Sequence, residues 1–270
     1  MTALQPPAVP LFVAGTTGPN MPAAMNSLVR DPFTFLLQPP LFRATRAAAL
    51  NLTENVNQFV PWDTAAEDTA GGWTSPAVVG GGGSTTLNGG TSVGATSFVV
   101  TSATGFAIGD YVRIESSGAN VEYRQLTNVS GTTLSVSASA PLALAHATLS
   151  TVTEVTSDPS RYVVQAPGWY LVDAKVSLSG TGAANMVLIP GISVNFGSHT
   201  GFGTLWEGTE HGVPTGASGQ PKIGNGLWQV YCNIGDFIQI NLFYSTESAI
   251  TAVDTTAGLV CSIDLSFDGV

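Results

Sequence analysis

Charge is what this chain has least of. Asp, Glu, Lys and Arg supply 10% of its 270 residues, against about 25% in ordinary globular domains. There are only two lysines, Lys175 and Lys222, and 18 acidic against 8 basic residues give a formal net charge of −10. A surface that follows nucleic-acid phosphates needs clustered Lys and Arg, so that class is excluded. Binding to a membrane through a basic amphipathic helix fails for the same reason. No positive charge precedes Arg30, and prolines interrupt the opening residues, so no secretory signal is expected. No stretch reaches the ~18 apolar residues of a membrane-crossing helix, and no membrane insertion is expected.

Cysteine is nearly as scarce. Cys232 and Cys261 are the only two, and in a chain folded in a reducing cytosol they read as small buried hydrophobes rather than a disulfide. The sequons at Asn51 and Asn128 carry no weight without secretion. Motifs for chemistry are missing too. There is no HExxH, CxxC or EF-hand loop, no Gly-x-Ser-x-Gly at a strand-to-helix turn and no Gly-x-Gly-x-x-Gly opening a helix, so neither an enzyme nor a cofactor is expected. His146, His199 and His211 lie far apart in turn-like contexts and read as surface or turn residues. Asp63, Glu67 and Asp68 are the densest carboxylates; they read as bonding their own turn, with Ca²⁺ ligation as the alternative.

What the chain does have is strand pattern. Hydrophobic residues make up 44% and glycines number 31, with Ser and Thr rather than charge solvating the turns. In Pro167-Gly-Trp-Tyr-Leu-Val-Asp-Ala-Lys-Val-Ser-Leu-Ser, Tyr170, Val172, Ala174, Val176 and Leu178 share one face, the period of a strand with one buried side. In Asn233-Ile-Gly-Asp-Phe-Ile-Gln-Ile-Asn-Leu-Phe-Tyr, Phe237, Gln239 and Asn241 alternate with Ile238, Ile240 and Leu242. A third strand runs from Gly258 to Phe267. Trp228 and Tyr231, just before the second of these strands, read as core.

An aromatic strand after Pro-Gly, a Gly-Asp turn into a hydrophobic strand and a terminal strand ending in Phe form an ordered set. Together with Trp62-Asp-Thr and Asp68-Thr-Ala-Gly-Gly-Trp73, that set resembles the C1q/tumour-necrosis-factor-like jelly roll. The resemblance implies an all-β jelly-roll sandwich that assembles as a homotrimer, with Trp169, Tyr170, Phe237, Ile240 and Phe267 in its core or along the trimer axis. Residues 1–45 differ in texture, being rich in proline with Phe12, Phe33, Phe35 and Phe42 scattered through them. Phe12-Val-Ala-Gly, Pro22-Ala-Ala-Met-Asn-Ser-Leu and Asp31-Pro-Phe-Thr-Phe-Leu resemble the leader of small virion proteins from phages of actinobacteria. That resemblance implies an anchoring segment, with Phe12, Phe33 and Phe35 as its contacts to other virion proteins.

The expected organisation is an anchor over 1–45, the first part of the sandwich over 46–79, an inserted β module over 80–157 and the rest of the sandwich over 158–270. The insert opens on Gly80-Gly-Gly-Gly-Ser, a flexible linker by composition. It continues with strand-like runs about 8–12 residues apart, of a kind that resembles small β modules of phage tail and fibre proteins. Its expected place is on the outside of the sandwich, emerging from one loop, with a contribution to binding; the alternative is an elaborated loop with no role beyond bulk. Between Phe196 and Gly226 aromatics mix with glycine turns. Trp206, Phe202 and His211 are the candidate contacts there to a host surface glycan, through ring stacking beside hydrogen-bonding groups. The expected role is a non-enzymatic virion protein, assembled in the bacterial host cytoplasm and placed as a minor tail or fibre-like protein facing the host. The alternatives are a capsid decoration protein at threefold positions and a virion-borne glycan hydrolase. The hydrolase is disfavoured because no carboxylate pair is marked by its context.

Overall fold

The structure is a computed structural model and describes residues 39–117, 120–179, 187–195, 204–207, 211–212, 222–245, 251–252 and 261–269. Among these residues there are strands and no helix, and every ladder between strands is antiparallel. Strands are numbered β1–β19 in chain order and fall into three sheets.

The first sheet contains β1 (Leu41–Arg46), β2 (Leu50–Asn51), β4 (Thr64–Asp68), β12 (Gly168–Ser179), β16 (Lys222–Cys232), β18 (Thr251–Ala252) and β19 (Cys261–Gly269). Its order is β2-β18-β12-β19-β1-β4, with β16 also on β12. The second contains β3 (Gln58–Phe59), β11 (Arg161–Val163), β13 (Val187–Val194), β14 (Thr204–Glu207), β15 (His211–Gly212) and β17 (Phe237–Ser245). Its order is β11-β17-β13-β14, with β15 on β13 and β3 on β17. These two sheets share one core, in which Phe42, Tyr170, Val172, Ala174, Ile263 and Leu265 of the first meet Tyr162, Ile192, Ile238, Ile240 and Leu242 of the second. This is a β-sandwich. Taking β1, β11, β12, β13, β14, β16, β17 and β19 as its eight principal strands, the first pairs with the last, the second with the seventh, the third with the sixth and the fourth with the fifth.

The alternation in β12 lands as its period demands. Tyr170, Val172, Ala174 and Val176 are all fully buried, while Trp169 and Leu171 point outward. Phe42, grouped by sequence with the scattered phenylalanines of residues 1–45, is instead a fully buried core residue of β1, whose Ala44 pairs with Ile263 and Ala65. β13 carries Pro190 in mid-strand, normally an argument against a central strand. The residue falls between the portion paired with β15 (Val187, Leu188) and the portion paired with β14 (Gly191–Val194), so along that edge its missing N–H interrupts no ladder.

The third sheet holds β5 (Ser84–Thr86), β6 (Ser97–Val99), β7 (Tyr111–Ser117), β8 (Asn120–Ser130), β9 (Thr133–Val136) and β10 (Thr151–Val155), in the order β5-β10-β7-β8-β9-β6. Its two ends meet through a Leu87–Val100 bridge, with Thr101 N donating to Thr86 O at 2.9 Å and Asn88 N to Val99 O at 2.8 Å. The sheet thereby closes on itself around its own core of Leu87, Phe98, Val112, Ile114, Leu126 and Leu134. The Gly80–Gly83 run, a flexible linker by composition, is built into this structure. Gly83 N donates to Glu154 Oε2 at 2.8 Å and Glu154 N to Gly83 O at 2.7 Å, while a Cβ on Gly83 would stand 2.6 Å from the Phe106 ring. Close approach of backbone to ring, not flexibility, is what glycine supplies at this position.

Candidate functional site

Two regions of the described residues offer more than packing: the outer face of the first sheet, and the junction where the small barrel meets the second sheet.

On the first sheet, side chains that face away from the core on β12 lie opposite those on β16 in register: Trp169 with Tyr231, Leu171 with Gln229, Asp173 with Leu227. Trp169 is 42% exposed, Tyr231 50% and Leu227 66%, and the two aromatic rings meet edge to face at 5.6 Å. Ile234, in the turn that follows β16, is also exposed. Trp169, expected in the core or on a trimer axis, is therefore outside the core. Tyr231, expected in the core beside Trp228, is likewise outside it. The reason is strand geometry: residues three apart must fall on opposite faces. Trp228, Val230 and Cys232 have opposite parity from Tyr231 and belong to the inner side, with Trp228 half-buried against the core. Farther along the same outer face the character turns polar. Arg43 reaches Asp264 at 2.9 Å and Glu67 at 3.6 Å, all three substantially exposed. An apolar strip with a charged border is the make-up of a protein-binding face.

The remaining residues named from sequence divide cleanly. Tyr170, Phe237 and Ile240 are buried, and Phe267 is half-buried with its ring edge-on to Tyr170 at 5.5 Å. Cys232 is a free, fully buried thiol, pushed up to about 12 chiefly by burial and further by Asp236. The Cys261 side chain lies outside the described residues. Trp206 and His211, read as loop residues, sit on strands opposite Ile192 and Leu188, with their side chains outside the described residues. Phe202, Phe12, Phe33, Phe35 and His199 also lie outside them.

Of the three carboxylates weighed for Ca²⁺, Glu67 meets Arg43 at 3.6 Å and the two aspartates hold backbone. Asp68 accepts from Gly71 N (2.8 Å), Gly72 N (3.1 Å) and Trp73 N (2.9 Å). Asp63 accepts from Ala47 N and Ala48 N and meets the buried Arg46 at 3.1 Å. The double glycine after Asp68 has two separate causes: Gly71 has φ +71°, and a Cβ on Gly72 would meet the Tyr162 ring at 2.5 Å. Among the described residues no cluster of three or more metal-ligating side chains occurs.

At the junction, polar residues bind the barrel to the sandwich. Arg161 of β11 is 7% exposed and pairs with Asp158 at 3.2 Å. Its guanidinium lies 4.0 Å over the Phe237 ring and donates to Tyr111 Oη (3.1 Å) and Gln125 Oε1 (3.2 Å) of the barrel. Val121 and Tyr123 of β8 pack on the sandwich core, while Leu126 of the same strand lies in the barrel core.

Also on β8, Glu122 is buried. It accepts from Arg124 Nη2 (2.7 Å), Ala143 N (3.0 Å) and His146 Nε2 (2.8 Å). Burial alone would raise its carboxyl, but Arg124 and His146 outweigh it and hold the group below its ordinary 4.5. His146, read from sequence as a surface or turn residue, is 1% exposed and meets Ser116 Oγ at 3.0 Å through Nδ1. Ser116 in turn meets Ser150 Oγ at 2.7 Å, and Ser150 donates to Ala147 O. This Ser–His–Glu chain fastens the 141–150 loop to β7 and β8. Sequence reasoning missed it, although Val121-Glu-Tyr-Arg already puts Glu122 and Arg124 on one side of a strand.

Beside this network lies a cavity of about 290 Å³. Asn57, Phe59 and Asn241 form its sandwich wall, and Val93, Ser139 and Pro141 its barrel wall.

No protein-family model matches the chain, and comparison with curated proteins returns no match.

Proposed function

We propose that this chain is a non-enzymatic structural protein of a bacteriophage virion that assembles as a homotrimer and works through surface contact. The observation that carries the reading is the apolar strip of Trp169, Leu171, Leu227 and Tyr231 on an otherwise sparsely charged sandwich. Large side chains held outward from rigid strands, at the least charged part of the face, are suited to a partner surface. A jelly roll of the C1q type is supported by the nested pairing of first strand with last, second with seventh, third with sixth and fourth with fifth. That pairing is what a long antiparallel ribbon gives when it is rolled up. The virion assignment rests on the leader-like pattern in residues 1–38. Placement as a minor tail or fibre-like protein is favoured by the added β module. Decoration of the capsid at threefold positions is the second reading, because the sequence has no collagen-like or heptad shaft to build a long fibre.

The test is mass photometry at micromolar concentration on the wild type and on a Trp169→Ser, Tyr231→Ser variant. The wild type should be a trimer and the variant, still folded by circular dichroism, a monomer. A monomeric wild type refutes the assembly reading. Removing residues 1–38, which spares β1, should leave the trimer intact and abolish its incorporation into particles.

A further inference from the structure

We infer that the cavity between barrel and sandwich is a binding site for a neutral saccharide ring, formed within a single chain. Three observations carry this. The first is the wall chemistry. Phe59 contributes a half-buried aromatic ring, with the Arg124 guanidinium 5.9 Å from its centroid. Around it stand the amides of Asn55, Asn57 and Asn241 and the hydroxyl of Ser139. An aromatic surface with convergent groups that both donate and accept is what a sugar requires, since its C–H face is apolar and its rim is hydroxyl.

The second is charge. Among the described residues, the only ionisable one lining the cavity is Arg124, and its guanidinium is already engaged. It pairs with Glu122 at 2.7 Å and donates to Pro141 O at 3.0 and 3.2 Å and to Tyr123 O at 2.8 Å. No carboxylate of the described residues lines the cavity. An anionic ligand would find its counter-charge neutralised, and a cationic one would find none, so the site selects a neutral molecule.

The third is size. At about 290 Å³ the space suits one ring and part of a second, near the low end for small-molecule sites.

The site sits on the second sheet, away from the apolar strip of the first, and needs no partner copy. Sugar binding and trimer formation can therefore fail independently, and each experiment reports on its own proposal.

The test is saturation-transfer NMR and calorimetric titration of the full chain with methyl glycosides of galactose, mannose, arabinose and N-acetylglucosamine, with sodium glucuronate as the charged comparison. At least one neutral glycoside should bind saturably in the millimolar range or tighter. Val93→Trp, which fills the cavity from an exposed position, and Phe59→Leu, which removes the ring face but keeps apolar bulk, should each weaken binding tenfold or more. The melting temperature of Val93→Trp should stay within a few degrees of wild type. No saturable binding by any neutral glycoside overturns the proposal. So does undiminished binding by a folded Val93→Trp variant, or glucuronate binding more tightly than every neutral glycoside.

Discussion

Replacing Arg161 by Ala is the most informative single perturbation of this fold, because one buried guanidinium touches both the sandwich and the barrel. The substitution leaves Asp158, 3% exposed at its side chain, without its cation. It also removes the donor to Tyr111 Oη and Gln125 Oε1 and the cation over Phe237. Removing one partner of a buried ion pair costs about 3–5 kcal/mol. The stacked contact accounts for part of that figure rather than adding to it, since the groups share one network. Asp158 keeps two hydrogen bonds, from Ser160 N (3.0 Å) and Ser160 Oγ (2.6 Å), which places the expectation near the lower bound, about 3 kcal/mol. Arg161→Ala combined with Asp158→Asn should recover about 1–2 kcal/mol, because the stranded charge is then gone.

Urea unfolding followed by tryptophan fluorescence reads the sandwich alone, since Trp62, Trp73, Trp169, Trp206 and Trp228 all lie outside residues 80–157. Hydrogen exchange at Val112 and Ile114 reads the barrel. Both are fully buried in a core the barrel does not share with the sandwich, so their amides should stay protected while the sandwich midpoint falls. A loss under about 1 kcal/mol would refute the argument that Arg161 is an indispensable buried cation. Simultaneous loss of protection at Val112 and Ile114 would refute the independence of the barrel core.

Two further outcomes follow from carboxylates. Glu122 titrates below its unfolded 4.5, so its stabilisation is complete above about pH 4.5 and is lost as pH falls through the lower folded value. Glu122→Gln should therefore lower stability at pH 7 by about 2–3 kcal/mol and flatten the acid limb of a melting-temperature profile; an unchanged acid limb would refute the assignment. Asp68→Ala strips the acceptor from three backbone N–H groups and should cost about 2 kcal/mol in chemical denaturation, while EDTA should leave the wild-type melting temperature unmoved because both carboxylate oxygens already hold backbone donors.

Sequence made the sandwich strands visible where one face is apolar and the other wet, as in β12, whose alternation is unambiguous from Tyr170 to Val176. It misled at β17. Phe237, Gln239 and Asn241 alternate with Ile238, Ile240 and Leu242, yet all six are buried, at 0–8% exposure. A two-period pattern signals one buried face, but it cannot say that the polar face will also be covered. Gln239 donates to Ser160 Oγ at 2.6 Å and Asn241 to Asn57 Oδ1 at 3.1 Å, so the amide N–H groups bond within a second buried layer instead of meeting solvent. The junction was illegible for the same reason. Arg161, Gln125 and Glu122 lie on strands whose sequence separation says nothing of their meeting, and His146 looked like a turn residue because it sits between Ala145 and Ala147 with no strand alternation around it. The glycines after Val79 read as slack, whereas the Phe106 ring against Gly83 requires a residue without Cβ.

The two-sided burial of β17 also bears on which surface is left for a partner. A two-sheet sandwich has two outer faces. Here Phe237, Gln239 and Asn241, which face outward on the second sheet, are covered by the 57–59 and 158–161 segments and by the barrel beyond them. The barrel is therefore a third layer on that side and not a free arm, which makes the junction a place for a small ligand instead of a flat protein contact. On the first sheet nothing within the described chain covers the corresponding positions of β12 and β16, and those positions carry Trp169, Leu171, Leu227 and Tyr231. Exposed tryptophan and tyrosine in register on adjacent strands keep apolar surface in water, so covering them with a second copy is favourable by about 25 cal/mol for each Å² of apolar surface removed from water. The same four residues on the covered sheet would have formed a core. Their place on the open sheet keeps them out of the chain's own core and leaves them to a partner surface under the proposed reading.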